Sequence, residues 1–305
     1  MPAPGAGMSW RPLTVEDAAT VAAIAGADEA AFHGRPSRVQ ASDVEAWWER
    51  ADLASSSWLY EEDGVPLAFG WFELYGDIGT FVGIVAQEAK GLGLGAALAD
   101  RGEARAREAS SPKIHTVALA EDAGAAALFA ARGYEEVRRF YEMAIEMTEP
   151  SPAPTLPDGL ALDEVRDEDM RAFYEALGEA FLDHWEWHAT PYDEWLETRR
   201  GQHHDAEGPL WFVVRDSDEI AGTVRNETNR NGGGYVGAIG VRRPWRGRGV
   251  AKALLYRTFQ EFYRRGVTRV TLGVDAQSPT GATHLYERVG MEVESCMVVY
   301  EKAPR

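Results

Sequence analysis

The segment Arg242-Arg-Pro-Trp-Arg-Gly-Arg-Gly249 has the composition of an anion site. Gly247 and Gly249 allow the main chain to approach a ligand closely, and Arg246 and Arg248 add positive charge. A strand-like run, Ala238-Ile-Gly-Val241, precedes it and a helix-like run from Val250 follows. Strand, glycine loop and helix in that order aim unpaired backbone N–H groups at an anion, and a diphosphate is the expected guest. Two common diphosphate signatures do not fit. A Walker loop ends in Gly-Lys-Ser/Thr, whereas Gly249 is followed by Val250 and Ala251. A dinucleotide fingerprint opens the first strand-helix unit of a domain, whereas this loop follows several strands. A second chemical cluster, 179–188, packs Glu179, Asp183, Glu186, two histidines and two tryptophans into ten residues. Its carboxylates and aromatic faces suit an amine, and the same pattern suits the solvated end of an amphipathic helix. His203 and His204 read as an exposed helix end rather than a metal pair, because adjacent helical side chains diverge.

These residues need a scaffold, and periodicity supplies one. In the second half, 160–165 alternates as a strand. Asp167 can cap a helix to about residue 183, with Met170, Phe173, Leu177 and Ala180 on one face. A further helix carries Trp195. Strands follow over 210–215, 220–226 and 235–241, the last two joined by an Asn/Gly turn at 229–234. After the glycine loop come a helix to about 265, a strand over 269–274, a helix over 282–289 and a last strand over 293–301. Each unit is thus mixed α and β, with several antiparallel strands and one strand-helix-strand crossover.

The chain uses this unit twice. Lys90-Gly-Leu-Gly-Leu-Gly95 lies 156 residues before Arg246-Gly-Arg-Gly-Val-Ala251, and Ala131-Arg-Gly-Tyr134 matches Arg288-Val-Gly-Met291 at nearly the same offset. A constant offset implies tandem copies. The proline-rich stretch 150–158 reads as a linker, dividing 1–149 from 159–305. The 305 residues carry a net charge of −18, which disfavours nucleic acid and anionic membranes and could draw in a cationic amine. The single cysteine, Cys296, permits no intrachain disulfide and no cysteine-based zinc site. No metal is expected. Residues 1–7 lack a basic and apolar leader pattern, and no long apolar run occurs, so a cytoplasmic protein, monomer or homodimer, is the expectation.

Arg246, Gly249 and Ala251 in the pattern Arg-x-x-Gly-x-Ala, followed by Leu254-Leu255 and by Leu285-Tyr-Glu-Arg-Val-Gly290, resemble the GNAT superfamily of acetyl-CoA-dependent N-acyltransferases. The resemblance implies an α+β fold of two tandem GNAT-like domains, each a mixed, mostly antiparallel sheet with flanking helices, and acetyl-CoA as co-substrate. It implies that the backbone of Ile239, Gly240 and Val241 holds the pantetheine arm and polarises the acetyl carbonyl. Amides of Arg246, Gly247, Arg248, Gly249, Val250 and Ala251 would hold the diphosphate. Ser278 stands where relatives carry an asparagine, and Tyr286 matches the tyrosine that protonates the departing thiolate. An amine must lose its proton before it attacks, and Glu227 is the candidate base. Asp183, His184, Glu186 and Tyr235 are candidates for the acceptor side.

The first copy keeps Gly91, Gly93 and Gly95 but has Lys90 at the arginine position, and Phe129 replaces the tyrosine. A second cofactor site at Val85, Lys90, Gly91, Gly93 and Gly95 stays open, while catalysis is expected in the C-terminal copy alone. The expected activity is acetyl transfer to a primary amine of a small cationic acceptor. Two alternatives stay open. One is a non-catalytic acyl-CoA-binding regulator. The other is acetylation of a cysteinyl amine, since tandem units of this type also resemble mycothiol synthases in architecture.

Overall fold

The computed structural model describes residues 8–303; the 1–7 stretch read above lies outside them. The chain divides into two compact units: residues up to Phe140 together with those from Ser295 on, and Tyr141–Glu294. In chain order, the first unit contains β1 (Met8–Arg11), α1 (Ala18–His33), α2 (Ala41–Trp47), the short α3 (Leu53–Ser56), β2 (Ser57–Glu62), β3 (Val65–Tyr75), β4 (Ile78–Val85), α4 (Leu94–Glu108), β5 (Ile114–Leu119), α5 (Ala123–Ala131) and the start of β6 (Glu135–Glu146). The second contains the end of β6, then β7 (Leu160–Glu164), α6 (Met170–Phe181), α7 (Tyr192–Arg199), β8 (His204–Asp205), β9 (Gly208–Pro209), β10 (Phe212–Asp216), β11 (Glu219–Arg230), β12 (Gly233–Val241), α8 (Val250–Arg264), β13 (Arg269–Asp275) and α9 (Ala282–Arg288). β14 (Glu292–Lys302) is the last element described.

This division differs from the one drawn by sequence repeat. The last strand, expected to complete the second copy, pairs antiparallel with β5 from Met297↔Leu119 to Lys302↔Ile114 and so completes the first unit's sheet. Residues from Tyr141 to the end of β6 go with the second unit, beside β13. An offset in sequence reports copies of a unit and carries no information on which copy a terminal strand joins. The 150–158 stretch is also no free spacer. Ser151 Oγ donates to the Tyr256 carbonyl at 3.0 Å, and Gln260 Nε2 donates to the carbonyls of Ser151 and Pro152, which lays the segment along α8.

In the second unit, β7, β10, β11 and β12 are antiparallel, and β12 and β13 are parallel. α8 starts where the glycine loop ends and buries Val250, Leu254, Phe259 and Phe262 against the sheet, with Trp211 and Phe212 in the same core. α6 buries Met170, Phe173, Leu177 and Ala180, as its periodicity predicts. Its cap differs from expectation: Asp169, not Asp167, accepts the Arg166 N–H and pairs with Arg215 at 2.7 Å. Two helices on opposite faces of this mostly antiparallel sheet fix the position of the strand ends between them.

The first unit repeats this plan with β1 to β5 and the C-terminal strand. β4 and β5 are parallel, and α4 follows the first glycine loop.

Candidate functional site

In the second unit, among the described residues, β12 and β13 pair at Gly234↔Val270 and Tyr235↔Thr271 and nowhere further along β12. The two strands therefore splay, and main-chain groups of β12 beyond Tyr235 face an opening. β12 also carries a bulge. Arg225 pairs with Ala238 and Asn226 with Val236, so Gly237 is the extra residue. Asn226 is fixed there, since its Nδ2 donates to the Leu210 carbonyl at 2.6 Å and its own carbonyl accepts the Trp211 indole N–H at 3.2 Å. A bulge beside a splay turns a strand edge toward solvent.

Ile239, Gly240 and Val241 form the end of β12 at this opening. A Cβ on Gly240 would stand 2.7 Å from Ala180 Cβ, so the glycine admits the C-terminal end of α6 onto the strand. Past Val241 the loop turns through Gly247 (φ +76°) and Gly249 (φ +84°), both left-handed with open space where a Cβ would point. The glycines answer a backbone requirement rather than a steric one. The first helical bond of α8 runs from the Ala253 N–H to the Gly249 carbonyl, so the amides ahead of it, including Val250 and Ala251, lie free for an anion.

The loop arginines are committed elsewhere. Arg242 meets Glu179 at 2.6 Å and Glu219 at 3.2 Å, Arg243 meets Asp183 at 2.5 Å, and Arg246 meets Asp183 at 2.7 Å. Arg246 also donates to the Val241 and Ala180 carbonyls, tying the end of β12 to the end of α6. Arg248, half-exposed and 4.0 Å from Asp216, is the most loosely held. Asp183, expected on the acceptor side, instead receives two guanidiniums, which bring its carboxyl down to about 2. Sequence could not foresee this, because the partners lie 60 or more positions apart. Ser278 also closes its own turn: its Oγ lies 2.9 Å from Thr280 Oγ1, and its N–H donates to the Asp275 carbonyl.

Tyr286 of α9, the helix that follows β13, is 6% exposed and belongs to the core of the second unit. Burial, reinforced by Tyr235 nearby, holds its phenol above the ordinary range, so it stays protonated. Tyr235 lies under the Arg230 guanidinium, 4.1 Å from its ring centre, and opposite Glu227 in the ladder. Burial would raise the Glu227 carboxyl, but contacts to Arg225 and, at 3.0 Å, to Arg230 outweigh it and the net shift is downward. His184 stacks on Phe181 at 4.0 Å; loss of water around the ring lowers its pKa, with Asp275 acting in the opposite sense. Glu186 occupies a left-handed turn (φ +51°), and its carbonyl lies 2.8 Å from His188 Nδ1. His203 is not an exposed helix end. α7 stops at Arg199, and His203 is 2% exposed, edge-on to His204.

The profile of the acetyltransferase (GNAT) family matches residues 24–134 and again 162–291. The chain belongs to this family. It is an acetyl-CoA-dependent acyltransferase built from two tandem GNAT domains. A GCN5-related N-acetyltransferase from Sphaerobacter thermophilus is 34% identical, with 98% of this chain and 96% of that one covered and a TM-score of 0.85. The mycothiol acetyltransferase of Propionibacterium freudenreichii is 29% identical over 273 residues, 80% of this chain and 85% of that protein. That of Catenulispora acidiphila is 28% identical over 225 residues, 72% and 70% of the two chains. A tandem GNAT protein from the clavulanic acid biosynthesis pathway shares the fold at 17% identity and a TM-score of 0.74, with 98% and 99% covered.

The two GNAT domains differ where chemistry would occur. In the first, Gly91 (φ +83°) and Gly93 (φ +86°) reproduce the second loop, and Ala97 N–H bonds to the Gly93 carbonyl as Ala253 does to Gly249. Lys90 is held by Asp28 at 2.7 Å and Asp122 at 3.6 Å. β4 pairs with β3 without a break from Ile78 to Val85, so β4 carries no counterpart of the β12 bulge. Phe129 is packed among Tyr134 and Tyr300, with no hydroxyl of its own. Gly95 stands where the second loop has Ala251. In the ladder, Trp71 and Glu73 take the places of Arg225 and Glu227. Arg225 and Gly237 escaped the sequence reading. The visible signal for Arg225 was a pair of charged residues, Arg225 and Glu227, alternating onto one face of a strand that carries no other charge from Ile220 to Val224.

Proposed function

We propose that the second unit transfers the acetyl group of acetyl-CoA to a primary amine by direct attack, and that the acceptor presents a cysteinyl amine, as the name of the mycothiol acetyltransferases suggests. The free amides of 247–251 would hold the diphosphate, with Ile239 to Val241 beside the pantetheine arm and the acetyl carbonyl. The neutral amine nitrogen bonds to the carbonyl carbon and gives up one proton to water, the carbon-sulfur bond breaks, and the departing thiolate takes the Tyr286 proton, which solvent restores. Glu227, bound by two arginines, is a weak proton acceptor. Its part is to hold Arg225 in place beside Tyr235, with His184 and Glu186 lining the approach.

The observation that carries the choice of acceptor is the charge on that side. Arg225 and Arg230 both pair with Glu227, so this carboxylate is already engaged and is not left to meet a small polycationic amine, even though the whole chain is acidic. An acceptor with one amine and no further cationic group fits better. The test is thiol release from acetyl-CoA with a cysteinyl glucosaminyl-inositol, with a diamine, and with no amine. Amine-dependent release, fastest with the cysteinyl compound, is expected. CoA binding with no amine-dependent release would support the regulator instead.

A further inference from the structure

Arg246 joins three parts of the second unit. Its Nη1 donates to Asp183 Oδ2 at 2.7 Å, its Nη2 to the Ala180 carbonyl at 3.2 Å and its Nε to the Val241 carbonyl at 3.0 Å, so all three nitrogens are engaged by protein. The other oxygen of Asp183 receives Arg243. The Val241 contact sits at the splay. Arg242 N–H bonds to the Ala221 carbonyl at 3.0 Å and Val241 stands opposite Gly222, so the N–H and the carbonyl of Val241 both point away from β11, to the open edge. An unpaired carbonyl there would repel any acceptor oxygen brought to the N–H beside it. Arg246 caps that carbonyl, and the edge is left to present a donor.

The first unit shows which part of this arrangement is shared. Lys90 and Arg246 lie 156 residues apart and Asp28 and Asp183 lie 155 apart, so the loop cation and an acid near the end of the first long helix recur as a pair. Lys90 meets Asp28 at 2.7 Å and Asp122 at 3.6 Å and lies over the Phe32 ring. Among the described residues it reaches no main-chain carbonyl; an ammonium is a point of charge, whereas a guanidinium is a planar fork that can serve several acceptors at once. The tie between loop and helix is therefore common to both GNAT domains, and the bond to the strand end belongs to the second. We propose that Asp183 and Arg246 are positioning residues for acetyl transfer: the carboxylate holds the guanidinium against the Val241 carbonyl, which leaves the Val241 N–H to polarise the acetyl carbonyl. This rests on the reading that the second unit is the transfer site, with Ile239 to Val241 beside the acetyl group. It gives the Arg246 side chain a task apart from the diphosphate, which the loop amides serve.

The experiment follows acetyl-CoA carrying heavy carbon at its thioester carbonyl, bound to saturating full chain without acceptor, by isotope-edited infrared spectroscopy. In the wild type the carbonyl band should move to lower frequency on binding. Arg246→Lys keeps the charge and loses the fork, and should return the band most of the way to its position in free acetyl-CoA. The same variant should lose about tenfold or more in kcat for amine-dependent thiol release, with the Kd of CoA by calorimetry within about twofold of the wild type. Asp183→Asn keeps the shape and loses the charge, and should shift the band and lower kcat in the same direction, by about threefold or more. A wild-type band and kcat in folded Arg246→Lys overturn the proposal. So does a CoA affinity that falls in step with kcat, which would mean that the side chain serves the diphosphate. Unchanged values in Asp183→Asn overturn the aspartate's part. Should Arg246→Lys fail to fold, Asp183→Asn decides alone. If no amine gives thiol release in the wild type, the transfer reading fails, and the infrared comparison still decides whether Arg246 sets the donor for the acetyl carbonyl.

Discussion

Arg225 and Glu227 meet over Gly237: a Cβ at that position would stand 2.5 Å from Glu227 Oε1 and 2.8 Å from Arg225 Nη2. The bulge and the ion pair therefore depend on each other. Gly237→Ala should displace the pair while leaving the glycine loop intact. The expected result is a fall of about tenfold or more in kcat/KM for the acceptor, a cost on the order of 1–3 kcal/mol in stability, and little change in CoA affinity by calorimetry. An equal loss of CoA affinity would mean that the bulge serves the cofactor side instead.

Tyr286 is buried and its phenol is held above the ordinary range, so no rate should be lost through its ionisation below about pH 10. Tyr286→Phe keeps the ring and its packing and deletes one proton donor. The proposed acid role predicts a fall in kcat of about 10²-fold or more with CoA binding and melting temperature nearly unchanged. A variant that turns over like the wild type at every pH would show that the thiolate leaves unaided.

Much of this was legible in the sequence, for identifiable reasons. The glycine loop could be read because Gly247 and Gly249 answer a local demand, positive φ, and local demands leave local signatures. α6 and α8 were legible through their apolar spacing, and the duplication through its offset. What escaped was long-range. Asp183 looked like an acceptor ligand because its partners, Arg243 and Arg246, lie 60 and 63 residues away. The destination of the last strand was likewise invisible, since Met297↔Leu119 and Tyr300↔Thr116 obey the same alternation that either sheet would accept. The acidic composition pointed to a cationic acceptor, but net charge averages over a surface, and it does not show that Glu227 is already paired with Arg225 and Arg230.

The twin loops offer an internal control. Gly93 and Gly249 have nearly the same φ, +86° and +84°, and neither has an atom within 4 Å of a built Cβ. Gly93→Ala and Gly249→Ala should thus cost similar stability, about 1–2 kcal/mol each, from forcing an alanine into the left-handed region. They should differ in function. With the second unit as the working site, Gly249→Ala should weaken CoA binding and turnover, and Gly93→Ala should leave turnover near the wild-type level. Equal losses of turnover would place a required acetyl-CoA in the first unit as well.

Glu261 of α8 tests the electrostatics apart from any function. Its carboxylate meets Arg264 at 2.6 Å, Arg265 at 2.9 Å and Arg257 at 3.0 Å, with Arg265 and Glu261 almost entirely buried. Burial alone would raise its pKa, but the three guanidiniums outweigh that and bring it to about 2, from an ordinary value of 4.5. A carboxyl whose folded pKa is depressed stabilises the fold fully above its unfolded pKa and loses that contribution as pH falls through the folded one. Glu261→Gln should then cost about 2 kcal/mol at pH 7, allowing for solvent screening at the half-exposed Arg264. The gap between variant and wild type in urea unfolding should hold from pH 7 to about 5, narrow between about 4.5 and 2, and close below that. A gap independent of pH across this window would mean that the loss comes from packing of the helix and not from the charge.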